Sequence, residues 1–308
     1  MDRALPGCRA LAAHPLSGGL RNANFQLRFD SRDDPLLLRI YRHDASLCQK
    51  EIDLLRMLRG SVPVAEVIYA EPRGLEEIPP FAVLGYIEGI DLRALRRTGE
   101  REAMAQAAGS AGEVLAAIGR SHFPIGGWLG PGPGVTAPLL AGADPMPRFV
   151  DLCLASANLA RWVPAEWRER LHALAWSQAS AFAELEQEPR LVHGDFSAAN
   201  LVVRENWGRW QVAAVLDWEF AVSSTPLADL GNFLRYERAA RPLMEPHFSQ
   251  GYVRGGGQLA GDWRRLARSI DLLAICESLT HPGLPAPAAA ELLELARATV
   301  ENRDPLLA

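Results

Sequence analysis

The sequence predicts an α+β protein in two parts: a small N-terminal part built on an antiparallel sheet with one main helix, and a larger, mostly helical C-terminal part. Three observations carry this prediction. The first eighty-odd residues hold short runs rich in β-branched, aromatic and leucine side chains, separated by turn formers. From residue 90 onward the texture is rich in Ala and Leu at helical spacing. Within that helical part, two short apolar runs near 201 and 212 interrupt the pattern as a hairpin. At 308 residues the chain can bury a substantial core, as one large domain or two lobes. We place the boundary between 1–88 and 89–308.

The elements follow in order. "NFQLRFD" and "PLLLRIYR" read as strands split by the turn-forming "SRDDP". "ASLCQKEIDLLRMLRG" switches to helical spacing, with Leu47, Ile52, Leu55 and Leu58 on or near one face and Gly60 as its stop. "VAEVIYAE" and "PFAVLGYI" are two further strands joined by "PRGLEEIPP". After Gly89, "DLRALRRTGEREAMAQAAGSAGEVLAAIGRSHF" reads as helix. "PIGGWLGPGPGVTAP" is dense enough in Gly and Pro to read as a loop, either a substrate lid or a plain connection over 123–138. Helix resumes from Phe149 to Glu188, gives way to the hairpin, and continues to the end with breaks at 255–257 and 282–287. No internal repeat is visible. The passage between the two parts lies near "LGYIEGI", residues 84–90, and clefts between lobes favour ligands.

Composition narrows the function. A net charge of −5 argues against a dedicated nucleic-acid binder, which carries a basic excess, and is compatible with a cationic small molecule. The four cysteines (Cys8, Cys48, Cys153, Cys276) are scattered, without CxxC or metal-finger spacing, and read as free thiols of a reducing compartment. No run of eighteen apolar residues exists, and "MDRALPGCRA" lacks a signal-peptide pattern. The expectation is a cytoplasmic protein with no membrane or nucleic-acid partner, as a monomer or homodimer.

The chemistry concentrates in "RLVHGDFSAANLVV" (190–203) and "VLDWEF" (215–220). Asp195, Asn200 and Asp217 are oxygen donors around the expected hairpin, which brings Asn200 and Asp217 together across seventeen positions. Magnesium favours hard oxygen ligands, one or two carboxylates with waters and substrate phosphates completing the octahedron. A second carboxylate, five residues before the Asn, is then free to face an incoming hydroxyl. "HGDFSAAN" has the Asp-to-Asn spacing of the protein-kinase catalytic loop, with Gly194 where that signature has Arg. An isolated "HGD" arises by chance; the ordered set of HGDxxxxN, apolar triplet and apolar run ending in "DW" does not readily do so.

"LVHGDFSAANLVV" followed by "AAVLDWEFAVSSTPLADLGNFLR" resembles the aminoglycoside phosphotransferase and choline kinase-like superfamily, over most of the chain and more weakly outside these blocks. The resemblance implies a bilobal protein-kinase-like fold and phosphorylation of a small-molecule hydroxyl, with ATP or GTP and Mg²⁺ as cofactors. It implies Asp195 as catalytic base, Asn200 and Asp217 as metal ligands, and His193 and Asp229 as supports of the catalytic loop. It also implies a nucleotide-covering loop within 16–29 (Ser17, Gly18, Gly19, Asn24; Asn22 either touches phosphate or shapes the turn). Arg39 would be the phosphate-binding cation, Glu51 its acidic partner, and Gly85, Tyr86 and Ile87 the hinge that meets adenine. Arg39 departs from the family's usual Lys; it keeps the charge and adds bidentate pairing. Thr225 stands where the family often has Asp and remains a suitable N-cap ahead of Pro226.

Lys50, beside Glu51, reads as a surface residue. Asp271 and Glu277 either line an acidic pocket for an amine substrate or lie exposed on a helix. An aminoglycoside is the first candidate acceptor; homoserine, choline, sugar or macrolide types remain open. A silent nucleotide-binding relative is the alternative of another class, and a protein-substrate kinase is disfavoured by the absence of an APE segment.

Overall fold

The computed structural model describes residues 5–16, 22–42, 44–140, 142–237 and 240–301. Five strands open the chain: β1 (Ala10–Pro15), β2 (Asn22–Phe29) and β3 (Leu36–Tyr41), then helix α1 (Ser46–Leu58), β4 (Val67–Glu71) and β5 (Phe81–Gly85). They form one antiparallel sheet in the order β1-β2-β3-β5-β4. Leu27, Phe29, Leu36, Phe81 and Val83 fill one small core. A larger core joins Tyr41, Ala82 and Leu84 to Ile52, Leu55 and Leu58 of α1 and runs on into the helical part. Strand β1 was not expected. Its residues are exposed apart from one half-buried position, so no alternation of burial marks it.

The chain crosses to the helical part between Gly85 and β6 (Ile90–Asp91), which pairs with the expected hairpin. The helix expected after Gly89 is broken in two, α2 (Leu92–Thr98) and α3 (Arg101–Ile118), because Gly99 takes the left-handed conformation, φ 80°, and ends the first. The Gly/Pro-dense segment is not a bare loop. It contains β7 (Gly127–Leu129) and β8 (Val135–Ala137), paired with each other. Helices α4 (Pro145–Leu154), α5 (Ala157–Trp162), α6 (Ala165–Ser177) and α7 (Ala179–Leu185) follow. Next come β9 (Arg190–Val192), the hairpin β10 (Leu201–Asn206) and β11 (Arg209–Val215), a 3₁₀ turn at Trp218–Phe220, and β12 (Val222–Ser224). Strand β12 pairs with both β7 and β9, giving a four-stranded sheet β8-β7-β12-β9.

The chain finishes with α8 (Leu227–Leu234), α9 (His247–Arg254), α10 (Trp263–Leu279) and α11 (Ala286–Val300). A second core, including Leu159, Leu171, Ile275 and Ala289, fills the space between α4, α5, α6, α10 and α11. Among the described residues, no helix is long and apolar enough to cross a membrane.

Helix α3 packs closely on α9 within the helical part. Ala107, Ala108, Gly109, Ala111 and Gly112 of α3 are buried, and the backbones approach closely there. A Cβ on Gly112 would stand 2.1 Å from the Phe248 carbonyl oxygen, and one on Gly251 would stand 2.0 Å from that of Gly109. Either clash is with backbone, which cannot swing aside. Gly112→Val and Gly251→Val are each expected to cost about 3 kcal/mol of stability, at the upper end of ordinary overpacking. Urea unfolding reads this out, with Gly261→Ala, which meets open space, as an unchanged control.

Candidate active site

Strand β9 delivers its chain into the loop His193–Asn200, and the loop's shape is held from beneath. The buried Asp229 of α8 accepts the backbone N–H of His193 at 2.7 Å and of Gly194 at 3.0 Å. Gly194 has φ 81° and presses on the Phe220 carbonyl oxygen, where a Cβ would stand at 2.3 Å. Position 194 therefore suits glycine on two counts, in place of the Arg of the protein-kinase signature. Burial pushes the Asp229 carboxyl up to about 7, against the pull of the backbone N–H groups of His193, Gly194 and Phe196.

His193 is fully buried, and burial lowers its imidazole to about 4, so it is neutral at physiological pH. Its Nε2 lies 2.8 Å from the Leu216 carbonyl oxygen and Nδ1 accepts the Asp195 N–H at 3.2 Å. The neutral ring thus bridges the loop to the residue before Asp217. Trp218 packs edge-on against it at 4.6 Å, and Phe196, Phe233 and Phe248 continue an aromatic column toward α9.

On this platform the three oxygen-bearing side chains converge. Asn200 Nδ2 donates to the Asp195 carbonyl oxygen at 2.9 Å and to its Oδ2 at 2.8 Å. The amide nitrogen is thereby committed, which turns the amide oxygen outward. The Leu216 N–H donates to the Asn200 carbonyl oxygen at 2.8 Å, bringing Asp217 alongside. Asp217 itself sits in the left-handed region, φ 59° and ψ 68°, with its side chain 40 % exposed. Asp195 is half-buried; burial raises its carboxyl above the usual range, opposed by Asn200, Arg235 and Asn232.

Across the cleft, Arg39 of β3 is buried between two carboxylates. Its Nε stands 3.0 Å from Glu51 Oε2, and its Nη1 donates to Asp217 Oδ1. Burial alone would lower its pKa, but Glu51 and then Asp217 hold it raised. Glu51 also accepts the Tyr41 hydroxyl at 2.5 Å and the Trp218 N–H at 3.4 Å, while burial pushes its carboxyl up. Asn24 lies directly opposite Arg39 in the β2–β3 ladder and therefore shares its face. Its Oδ1 is buried without a hydrogen-bond partner. Asn22 Nδ2 donates to Glu219 Oε2 at 3.3 Å. Gly85, Tyr86 and Ile87 follow at the half-buried end of β5, where Gly85 N–H donates to the Glu66 carbonyl oxygen. Ser17, Gly18 and Gly19 lie outside the described residues.

The donor set suits a magnesium–nucleotide complex. One carboxylate and one outward amide oxygen are hard ligands, fewer than a cation needs by themselves. No group of three or more His, Cys, Asp or Glu among the described residues could hold a metal alone, so waters and phosphate oxygens would complete the shell. The orphaned Asn24 oxygen and the buried Arg39 on the same face mark where polar ligand atoms belong.

Three placements differ from expectation. Lys50 is not a surface residue: it is 5 % exposed, and its Nζ donates to the Glu219 carbonyl oxygen at 2.8 Å. Burial lowers its ammonium to about 8. The acidic pocket expected from Asp271 and Glu277 is not formed. Asp271 is buried and clamped by Arg235, with Nε 3.1 Å from both oxygens and Nη2 2.7 Å from Oδ1, while Glu277 is exposed on the same helix. Thr225 Oγ1 accepts the Leu227 N–H at a long 3.4 Å, and α8 begins one residue after Pro226. Two further residues had not been singled out: Asn232, whose side chain hydrogen-bonds Asp195, and Arg235, whose charge acts on it. Their signal was the spacing Asp229, Asn232, Arg235, every third residue of one helix.

A two-lobed fold with an antiparallel sheet joined to a helical half, and an Asp-to-Asn loop near a buried Arg–Glu pair, is the protein-kinase-like class. The chain belongs to the phosphotransferase enzyme family, whose model matches residues 12–268, and it is therefore a phosphotransferase with a hydroxyl group as acceptor. Among solved structures it is similar to the GDP complex of wild-type aminoglycoside 2'-phosphotransferase-IIIa (17% identity, 98% of this chain and 97% of that one, TM-score 0.69). It is also similar to a thermostable mutant of aminoglycoside phosphotransferase APH(4)-Ia in ternary complex with AMP-PNP and hygromycin B (18%, 95% and 94%, 0.68). A fructosamine-3-kinase candidate from Thermobifida fusca YX-ER1 matches as well (17%, 97% and 98%, 0.64). A search of curated proteins gives no match. At these identities the likeness speaks for the fold.

Asp229→Asn tests the support of the loop. An amide offers one acceptor where the carboxylate offers two, and turns N–H against N–H at the other. The variant is expected to lose about 1–3 kcal/mol, the cost of a buried unsatisfied donor. Urea unfolding measures it; unchanged stability would show that His193 and Gly194 need no such acceptor.

Proposed function

We propose that the protein is a magnesium-dependent kinase that transfers the γ-phosphoryl group of ATP, or of GTP, to a small-molecule hydroxyl. The observation that carries this reading is the orientation of Asn200: with its nitrogen committed to Asp195, its oxygen is left for the same cation as Asp217. The segments 1–88 and 89–308 act as nucleotide lobe and catalytic lobe, with the base against Gly85–Ile87 and the loop that contains Ser17, Gly18 and Gly19 over the phosphates. Bound Mg²⁺ would supply charge neutralisation for the phosphate oxygens. Arg39 presents a fixed positive charge to the same group, held in place by Glu51. Asp195 orients the acceptor hydroxyl and takes its proton, and its raised pKa makes it a better base than a solvated carboxylate. Positioning and charge stabilisation supply most of the catalysis in such transfers.

An aminoglycoside acceptor is the reading that the family resemblance brings, and several similar structures hold such compounds. The charge pattern around Asp195 does not add to it, since Asp271 is already spent on Arg235 and Glu277 faces away.

Two substitutions separate the roles. Asp195→Ala is expected to reduce turnover by about 10²–10⁴-fold, the range of general-base catalysis, with nucleotide affinity within a few-fold of the parent. Full activity in this variant would sink the mechanism. Asp217→Ala is expected instead to abolish the magnesium dependence of nucleotide binding, measured by calorimetry with and without Mg²⁺. An unchanged Mg·ATP affinity would remove Asp217 from the metal site. ADP release without acceptor, present in the parent and lost in Asp195→Ala, distinguishes an enzyme from a silent nucleotide binder.

A further inference from the structure

The acceptor side of Asp195 is built by α8 and its packing on α10. Gly231 lets the two helices approach so closely that a Cβ there would stand 2.3 Å from the Ala267 carbonyl oxygen and 2.9 Å from Asp271 Cβ. That contact places Asp271 beside Arg235, one turn beyond Asn232, whose side chain hydrogen-bonds Asp195. Asn232 and Arg235, three residues apart, share a helix face. The Asp271 side chain is 2 % exposed, whereas that of Arg235 is 14 % exposed, so the guanidinium is the end of this pair that reaches solvent. Its Nε and Nη2 are the atoms committed to Asp271 and the guanidinium also hydrogen-bonds the Tyr236 hydroxyl, with the Nη1 edge of the fork outside the Asp271 clamp. Asp271 is also shared, since Arg268 Nη1 stands 3.9 Å from its other oxygen. Tyr236, 39 % exposed, follows Arg235 at the surface.

A cation so placed decides what can dock against Asp195. A polyamine would bring ammonium groups to a guanidinium that cannot lose its proton and cannot move without abandoning Asp271. A carboxylate would meet a pre-oriented donor, and the charge-assisted hydrogen bond it forms is among the stronger polar contacts available. We propose that the acceptor is a hydroxyl compound bearing a carboxylate, which Arg235 receives beside Asp195 while Asn232 and Asp195 hold the hydroxyl that is phosphorylated. The proposal rests on the phosphotransfer reading above and adds the chemical class of the acceptor.

The test pairs each charged probe with a neutral analogue. Purified protein with Mg·ATP is offered D-gluconate against sorbitol and D-glycerate against glycerol, with kanamycin and hygromycin B as cationic probes. ADP release and a mass gain of one phosphoryl group score the reaction. The expected result is a higher kcat/KM for the carboxylated member of at least one pair, and higher than for either aminoglycoside. The double variant Arg235→Gln/Asp271→Asn removes the pair together, so that no buried charge is stranded. It should lower the ratio of kcat/KM for gluconate over sorbitol, or glycerate over glycerol, by about tenfold or more, as for one lost charge-assisted contact. Arg235→Lys, which keeps the charge and loses the fork, should restore part of that ratio. Preference for kanamycin, hygromycin B or the neutral polyols overturns the proposal, as does a ratio that the double variant leaves unchanged. So does the absence of any phosphorylated carboxylate in a protein that binds Mg·ATP through Asp217. Absence of magnesium-dependent nucleotide binding altogether would instead strike the phosphotransfer reading, and this proposal with it.

Discussion

Arg39 holds the molecule's two halves in register. It is a single buried cation with carboxylates at both ends of its guanidinium, Glu51 on α1 and Asp217 after the hairpin. Two neighbouring elements and a segment 178 positions beyond Arg39 therefore meet at one planar group. Burying such charges brings little net stability, because desolvation cancels most of the attraction. What the arrangement does fix is geometry: if Arg39 shifts, the buried Glu51 loses its ion-pair partner and Asp217 loses its link to β3. A lysine could not do the same, since a point charge on a flexible stem has no two edges to present to two carboxylates at once. The replacement of the family's usual Lys by Arg therefore fits the way this chain ties β3, α1 and the segment after β11 into one unit.

The loop that carries Asp195 depends on the opposite kind of interaction. Beneath it lies a neutral, fully buried imidazole, an aromatic column, and one carboxylate that accepts two successive backbone N–H groups. His193 stays neutral at physiological pH, and its value lies in spanning from the Asp195 N–H, which its Nδ1 accepts, to the Leu216 carbonyl oxygen, to which its Nε2–H donates. Asp195 and Asp217 are thus positioned relative to one another through a ring and a ladder, with little reliance on attraction between charges. The polar work is left to side chains that face the cleft.

How much of this could be read from the chain depended on the range of the determining contact. Asp195, Asn200 and Asp217 were legible because a turn and a short hairpin, both local, bring them together. The two strands inside 123–138 were not, because their Gly and Pro content argues for a loop and the strand that ties β7 into the sheet, β12, lies almost a hundred residues away. Strand β1 escaped because it lies at a sheet edge with nearly every residue exposed, so its burial has no period. Lys50 escaped for a related reason. A helix reads as amphipathic from its own apolar stripe, but α1 also buries the face toward Glu219, a surface supplied from 169 positions further on. Asn232 and Arg235 had local spacing in their favour; their importance appears only once α8 is seated on α10.

The distribution of cations then sorts the cleft. Arg39 and Lys50 gather against α1 and the Asp217–Glu219 segment, where the proposed function seats the nucleotide phosphates, and each is held by backbone or carboxylate oxygen so that neither is free to wander. Arg235 stands on the other side of Asp195, locked by Asp271. Burial holds the Asp195 carboxyl above the usual range, while the hydrogen bonds of Asn200 and Asn232 and the charge of Arg235 act against it. In the proposed reading a nucleotide accounts for the first group of cations. Arg235 has no counterpart in the requirements of phosphoryl transfer, since neither the nucleotide base nor the metal ligands need it. Under the further proposal, it answers to the molecule that brings the hydroxyl.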